Sequence, residues 1–371
     1  MKTRNIVLML MLCFVMVFAA ACGSAGSTNN EVNQGGAAEP TPQENTNGEA
    51  AVEEPLSGEL VVYSARNEKF VDALLQKFQD ETGITVKALH AGDAVVNKII
   101  EEGNNTQADV LISNDVGSME HLRLQGLLQG SEPEGIESID PLYRAEDNSW
   151  FGLSARSRVL IYNKDLITEE ELPQTIWELT DEKWKDQFMI TRGGNGSMVA
   201  HVSALRNEWG DEKTTEWLTK VKDNAGAITD GHGDIRKAVG AGEYKFGLVN
   251  NYYYHQQLNE PSDNNVGALY PDQGEDEMGV FVNAAGVALI KGAPNESNAQ
   301  HFLEWILLPE NQKEFSFASK EVPLNPEIQT TEEAKRISDY KTMSMPLNKL
   351  GEVWLDTKEL IEKAGLDLEI K

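Results

Sequence analysis

Short apolar runs alternate with amphipathic segments in the first part of the chain after residue 56. Strands are predicted for residues 59–63, 84–89 and 108–112. Helices are predicted for residues 71–82, 93–100 and 118–128. Leu74, Leu75 and Phe78 share one face of the first helix. Gly83 is its expected C-cap, and Asp93 is the expected N-cap of the second. Strands that alternate with helices indicate an open, mostly parallel α/β sheet.

A second α/β stretch follows. Strands are predicted for residues 150–153, 159–162, 244–249 and 281–290. Helices are predicted for residues 197–207, 211–223, 234–241, 298–307, 310–318 and 350–364. Two such stretches within roughly 315 residues predict two lobes, because a single core seldom grows that large.

The N-terminus carries the pattern of a secretory signal. Lys2 and Arg4 precede an apolar run at residues 6–18, which is short for a membrane span. Three alanines then lead to Cys22, an arrangement that resembles a bacterial lipobox. We therefore expect residues 1–21 to be a lipoprotein signal peptide and Cys22 to be lipidated. Ordinary cleavage that leaves this cysteine unmodified is the alternative.

Residues 22–56 are rich in small and polar side chains and predict a disordered tether, because they cannot bury enough apolar surface to offset their ordering entropy. The folded part is then expected outside the cytoplasm, anchored by lipid to the outer face of the cell membrane or held in the periplasm. The only other cysteine, Cys13, lies in the signal, so the mature chain has no internal disulfide and no thiolate metal site.

The formal net charge is −28. So acidic a chain would repel the phosphates of nucleic acid, and nucleic acid is therefore not an expected partner.

Three consecutive tyrosines, Tyr252 to Tyr254, follow the predicted strand at residues 244–249. Neighbours on a regular strand point to opposite faces, so one sheet face cannot use all three phenols. A phenol becomes a metal ligand only when something strongly electropositive ionises it, and ferric iron does this well. Simple packing, with the hydroxyls reaching water, is the alternative.

Several stretches together resemble the iron(III)-binding proteins of bacterial ABC importers, the ferric-ion-binding or bacterial transferrin family. They are Val61-Val62-Tyr63-Ser64-Ala65-Arg66, Glu81-Thr82-Gly83-Ile84-Thr85-Val86, Ala108-Asp109-Val110-Leu111, Leu153-Ser154-Ala155-Arg156-Ser157-Arg158-Val159, Asn250-Asn251-Tyr252-Tyr253 and Val322-Pro323-Leu324-Asn325-Pro326. The resemblance spans most of the folded part and keeps the order of the stretches.

The resemblance implies the α/β type II periplasmic-binding-protein fold: two lobes joined by crossover strands, with a ligand cleft between them. Lobe one would comprise residues 57–155 with 281–325, and lobe two residues 156–280 with 326–371. The crossover strands would lie near residues 153–158 and 280–285.

Adjacent tyrosines are iron ligands in that family, which implies this role for Tyr252 and Tyr253 and none for Tyr254. The chain departs from the family in the first lobe. Glu68 stands near the position where many members carry His, and Asp115 is one residue beyond the position where one branch carries Glu. Either carboxylate could substitute as a metal ligand, although a solvated surface role is the simpler interpretation of both.

A glycine-rich loop at residues 193–197 precedes a predicted helix. Free backbone N–H groups at a helix N-terminus attract anions, so a synergistic carbonate or phosphate is expected there, with a plain loop as the alternative. The candidate anion-binding residues are Gly194, Asn195, Ser197, Asn250, His232 and Arg156, for which Arg158 could substitute.

The predicted function is that of a monomeric substrate-binding lipoprotein that delivers Fe(III) to an ABC permease and ATPase, and not that of an enzyme. The main alternative keeps the fold and binds a phosphonate, thiamine, a polyamine or another small solute. A surface-attached hydrolase is a further alternative, but the chain contains no Gly-x-Ser-x-Gly elbow to support it.

Overall fold

The computed structural model describes residues 57–366. The predicted signal peptide, the predicted lipidation site at Cys22 and the predicted tether lie outside the described residues, as does the C-terminal end of the predicted second lobe. Within the described part of the chain, no helix is both long and apolar enough to cross a membrane.

The described chain forms ten strands and ten α-helices. The strands are β1 Glu59–Ser64, β2 Thr85–His90, β3 Val110–Ser113, β4 Trp150–Asn163, β5 Phe188–Thr191, β6 Ala227–Thr229, β7 Phe246–Asn250, β8 Val266–Leu269, β9 Val282–Leu289 and β10 Val322–Pro323. The helices are α1 Asp72–Thr82, α2 Ala94–Glu102, α3 Val116–Leu124, α4 Gly196–Trp209, α5 Asp211–Asn224, α6 His232–Gly240, α7 Asn251–Leu258, α8 Glu296–Leu307, α9 Pro309–Phe317 and α10 Lys349–Lys363.

The strands follow the order β2-β1-β3-β9-β4-β7-β5-β6, with β8 and β10 also paired to β4. Pairing is parallel within β2-β1-β3 and within β7-β5-β6. The central pairs β3–β9, β9–β4 and β4–β7 are antiparallel. The expectation of a mostly parallel sheet therefore holds within each wing and is wrong at the centre, where the two long strands connect the wings. We call the β1–β3 side the first lobe and the β5–β7 side the second.

Strand β4 links the lobes. Its residues from Trp150 to Ser157 pair with β9, and those from Arg158 to Tyr162 pair with β7. The sequence pattern predicted two shorter strands here, because Arg156 and Arg158 interrupt the apolar run. The strand is nevertheless continuous and buried along its whole length. Charged side chains are thereby placed at the point where the chain passes between the lobes.

Helix α10 also contacts both lobes. On the first-lobe side, the indole Nε1 of Trp354 donates a hydrogen bond to Asp115 at 3.1 Å. On the second-lobe side, Thr357 accepts hydrogen bonds from Ser203 and from Arg206, both at 3.0 Å. The C-terminal helix therefore packs across the gap that separates α3 from α4.

Candidate functional site

The tyrosine run occupies the first turn of α7 and does not extend strand β7. The strand ends at Asn250 and the helix begins at Asn251, so successive phenols are turned by about 100°. Tyr252 and Tyr253 have ring centroids 4.4 Å apart, and Tyr252 is only 8% exposed. The ring of Tyr254 instead contacts that of His255, with centroids 5.6 Å apart. The helix thus brings two phenols together, which a strand could not do.

Different charges surround the two parts of the run. Burial raises the pKa of Tyr253, and the adjacent phenol of Tyr252 raises it further, while Arg156 opposes the shift. Burial also raises the pKa of Tyr254, but there the nearby charges belong to Glu169 and Glu333. The paired phenols therefore face the cationic side of the site, and the third tyrosine faces acidic residues.

A buried ion triad lies beside the paired phenols. Glu321, 1% exposed, binds Arg66 Nη1 at 3.0 Å through one oxygen and Arg156 Nη2 through the other. The hydroxyl of Ser154 donates a further bond to the same carboxylate. Burial alone would raise the pKa of Glu321, but the two arginines outweigh it and hold that pKa below its ordinary value. The guanidinium carbon of Arg156 lies 5.5 Å from the ring centroid of Tyr252, within cation–π range.

Arg158 differs from these arginines because no described carboxylate lies within ion-pair distance of it. It is 2% exposed, and its Nη1 donates to Asn250 Oδ1 at 3.2 Å and to His232 Nε2 at 2.8 Å. Its Nε and Nη2 are buried without a hydrogen-bond partner. Burial lowers its pKa to about 9, and Tyr252 opposes that shift. An unpaired buried cation is costly, and a bound anion would relieve that cost.

The N-terminus of α4 adjoins Arg158 through a chain of hydrogen bonds. Asn195 caps the helix by accepting from the backbone N of Ser197 at 3.0 Å. The hydroxyl of Ser197 accepts from Asn250 Nδ2 at 3.0 Å, and Asn250 in turn accepts from Arg158. Gly194 is exposed in the preceding loop. Four of the predicted anion-binding residues therefore lie at or beside one helix terminus, and Arg158, more than Arg156, provides the open donors.

His232 is the first residue of α6 and joins the same group. Its ring meets that of Tyr253 edge-on, with centroids 5.0 Å apart. Burial, followed by the charges of Arg158 and Arg156, lowers its pKa well below 6.5. The imidazole is therefore neutral at physiological pH, and its Nε2 accepts the hydrogen bond from Arg158.

Asp115, one of the two candidate metal ligands in the first lobe, is committed to other contacts. Its carboxylate caps α3 by accepting from the backbone N of Gly117 at 3.1 Å and of Ser118 at 2.9 Å. It also accepts from Asn283 Nδ2 at 2.8 Å and from Trp354 Nε1 at 3.1 Å. Four donors occupy its lone pairs, which argues against metal ligation by this side chain.

Glu68, the other first-lobe candidate, is exposed on a short turn. It lines an open groove with Asp72 and His90, and that groove, among the described residues, includes neither the paired tyrosines nor the buried arginines. Asn114, at the position where one branch of the family carries Glu, accepts a hydrogen bond from Arg156 at 3.2 Å. The structure thus does not bring Glu68 to the site. Residues 57–366 also contain no group of three or more His, Cys, Asp or Glu that could hold a metal ion.

Sequence reasoning missed Arg66 and Glu321. Arg66 ends the quoted Tyr-Ser-Ala-Arg stretch, and Glu321 directly precedes the Val-Pro-Leu-Asn-Pro stretch. Arg66 thus lies within, and Glu321 directly beside, a stretch that supported the family resemblance. That proximity was the one sequence feature that could have identified them. Their pairing could not be inferred, because the two residues are 255 positions apart.

Comparison with known proteins agrees with this architecture. Iron uptake protein A1 of Synechocystis sp. is 30% identical over 316 residues, covering 83% of this chain and 87% of that protein. Iron-bound HitA of Pseudomonas aeruginosa matches with a TM-score of 0.77 at 30% identity, covering 83% of this chain and 99% of that one. The Trichodesmium protein IdiA (FutA), solved with iron and citrate, matches with a TM-score of 0.73 at 29% identity, covering 83% and 100%.

The predicted type II periplasmic-binding-protein fold is confirmed by these structural neighbours. The family described as bacterial extracellular solute-binding protein matches residues 73–343, which is more than half of the chain. The chain therefore belongs to the bacterial extracellular solute-binding proteins.

Proposed function

We propose that this protein is the substrate-binding component of an ABC importer for ferric iron, with Fe(III) bound by the phenolates of Tyr252 and Tyr253. The observation that carries the proposal is the pair of adjacent phenols on the first turn of α7, facing buried arginines. The relatives named above are an iron uptake protein and two iron-bound proteins, which supports the same cargo.

The electrostatics of the pair suit a strongly charged cation. Burial raises the pKa of Tyr253, so without metal its phenol keeps its proton. A trivalent ion would displace that proton, since metal binding and ligand deprotonation are coupled. Iron capture should therefore release protons and add a charge-transfer band in the visible spectrum.

The proposal also includes a carbonate or phosphate anion bound at the N-terminus of α4. The two unpaired nitrogens of Arg158 and the N-terminus of α4 both favour negative charge. Asn195 and Ser197 would supply polar contacts, with Gly194 in the preceding loop, while Asn250 and His232 orient Arg158. Arg156, already bound to Glu321, would contribute through its charge. The citrate in the Trichodesmium complex is consistent with an anion beside iron in a related protein.

The remaining parts of the proposal concern the setting. A monomer anchored through a lipid on Cys22 would present its cargo to a permease and ATPase at the outer face of the membrane. Membrane fractionation tests the anchor: Cys22→Ala should release the protein into the soluble fraction, and continued membrane association would reject lipidation.

Visible spectroscopy tests the iron site. The purified protein, given ferric iron with bicarbonate, should become coloured through tyrosinate-to-iron charge transfer. Tyr252→Phe and Tyr253→Phe should each lose the colour, whereas the matched control Tyr254→Phe should keep it. A colourless wild-type protein that also shows no iron-dependent rise in melting temperature would refute the proposal.

A phosphonate is the second candidate cargo, because the open donors of Arg158 would suit a phosphonate group as well as a synergistic anion. The same uncompensated cation disfavours the positively charged thiamine and polyamines. Calorimetric titration of the iron-free protein with 2-aminoethylphosphonate distinguishes the two cargoes. Tight binding without iron would support the phosphonate, and binding that requires iron would support the ferric site.

A further inference from the structure

Asp93 stands at the N-cap position of α2 but does not cap that helix. Its backbone is helical, with φ −64° and ψ −11°, and its side chain makes no capping hydrogen bond. A capping aspartate usually has an extended backbone and accepts from the first turn. The carboxylate of Asp93 is therefore free to serve another purpose.

That carboxylate reaches across to the second lobe. Its Oδ2 lies 3.0 Å from the point where a β-carbon on Gly196 would stand, and Gly196 is the first residue of α4. A larger residue at this position would press on the carboxylate. Asp93 belongs to the first lobe, so this contact joins the lobes at the helix terminus described above.

Charges of both signs surround Asp93. Burial and the charge of Asp115 raise its pKa, while Lys358 and Arg156 oppose the rise. Lys358 projects from α10, which packs on both lobes, and its Nζ lies 3.4 Å from the ring centroid of Trp354. Burial lowers the pKa of Lys358, and Asp93 opposes that shift.

A separate observation indicates that this helix terminus takes negative charge. Arg158, with two buried nitrogens that lack partners, is linked to Ser197 on the first turn of α4 through Asn250. Asp93 approaches the same turn from the opposite lobe. Asp93 is exposed to solvent, so a free anion could exchange with it.

We propose that Asp93 is an internal anion: with the lobes in contact, its carboxylate takes the position at the N-terminus of α4 that a free carbonate or phosphate would otherwise fill. This inference rests on the proposed ferric function. It gives the first lobe an acid that replaces the free anion, which differs from the metal-ligand role considered for Glu68 and Asp115. Its consequence is that iron retention in the wild-type protein depends little on added anion, whereas removal of the carboxylate creates that dependence.

Two measurements on the purified full-length mature protein test this, using Asp93→Ala, Asp93→Asn and the control Glu101→Ala. Glu101 is an exposed acid on the same helix. The first is iron retention against a competing chelator, with and without bicarbonate. Added bicarbonate should strengthen iron retention about tenfold in both Asp93 variants, because that is the typical effect of a charge at a partly buried helix terminus. It should change iron retention little in the wild type and in Glu101→Ala.

The second measurement needs no iron. Inorganic phosphate alone should raise the melting temperature of the Asp93 variants more than that of the wild type or of Glu101→Ala. Equal phosphate effects in all four proteins would overturn the role of Asp93, whatever the iron result. A wild-type protein that never binds iron, together with the expected phosphate effects, would instead refute the ferric function and keep Asp93 as the internal anion. If Asp93→Ala fails to fold, Asp93→Asn carries both measurements.

Discussion

Replacement of Glu321 by alanine should be among the most destabilising single changes in the molecule. The carboxylate joins Arg66 and Arg156 in a triad whose members are at most 5% exposed. Its removal leaves two buried guanidiniums without an acid partner and the hydroxyl of Ser154 without its acceptor. Breaking a buried ion pair by deleting one partner costs about 3–5 kcal/mol, and two cations are orphaned here, so the upper end of that range is expected.

Urea unfolding at neutral pH, followed by tryptophan fluorescence, measures this loss. Glu314→Ala is a suitable control, because Glu314 pairs with Lys77 at 3.1 Å on the surface, where an ion pair contributes about 0–1 kcal/mol. The reasoning is refuted if the two variants lose similar stability, or if Glu321→Ala loses less than about 1 kcal/mol.

The same carboxylate gives the protein a pH dependence with a definite sign. Because the folded-state pKa of Glu321 lies below its ordinary 4.5, the triad contributes its full stability above pH 4.5. That contribution is lost as the pH falls from 4.5 through the folded-state pKa. In Glu321→Gln this part of the acid dependence should disappear, which urea midpoints collected across the acid range would reveal; an unchanged slope would contradict the assignment.

Three further changes test other parts of the structure. Arg158→Met removes a buried cation that has no acid partner among the described residues, so stability should change by less than about 2 kcal/mol in urea; in the Asp93→Asn background it should also abolish stabilisation by phosphate, and retained stabilisation there would exclude Arg158 as the anion-binding group. Asp115→Ala removes the α3 cap and the acceptor of the Trp354 indole, which should cost about 2–4 kcal/mol in urea unfolding; a neutral result would contradict the capping role. Gly286→Ala places a β-carbon 2.0 Å from the Phe151 carbonyl, so a loss of at least about 2 kcal/mol is expected in thermal unfolding, and wild-type stability would show that the crossing strands can separate.

Hydrophobic periodicity predicted most of the first lobe, because its elements are short and locally consistent. Gly83 illustrates this, since it ends α1 in the left-handed conformation with φ 78°. The same local rules were less successful at the centre of the sheet. Strand β4 is continuous through Arg156 and Arg158 because partners from other parts of the chain satisfy both guanidiniums in part. The local sequence around Arg156 and Arg158 gives no information about those partners.

The candidate site likewise combines features that local sequence predicted with features that depend on distant partners. The tyrosine run was recognisable, but treating it as an extension of strand β7 hid the pairing of Tyr252 and Tyr253 that the first turn of α7 creates. Asp93 has the sequence signature of a helix cap, yet it makes no capping hydrogen bond, and its carboxylate lies near Gly196 on the other lobe. Propensity rules describe competition within one segment, and they cannot weigh a partner about a hundred residues away that becomes available only when the lobes meet.

In the proposed function, bound iron favours binding of the anion, and the bound anion favours binding of iron. Without ligand the site holds a protonated Tyr253 and an uncompensated Arg158, so iron alone would enter beside a buried cation. An anion at the α4 terminus, whether free or supplied by Asp93, reduces that repulsion before the metal ionises the phenols. The anion and the iron should therefore bind with positive coupling, and each should hold the other in place while the lobes are in contact. Separation of the lobes at the permease would withdraw Asp93 from α4 and weaken iron retention at the moment of transfer.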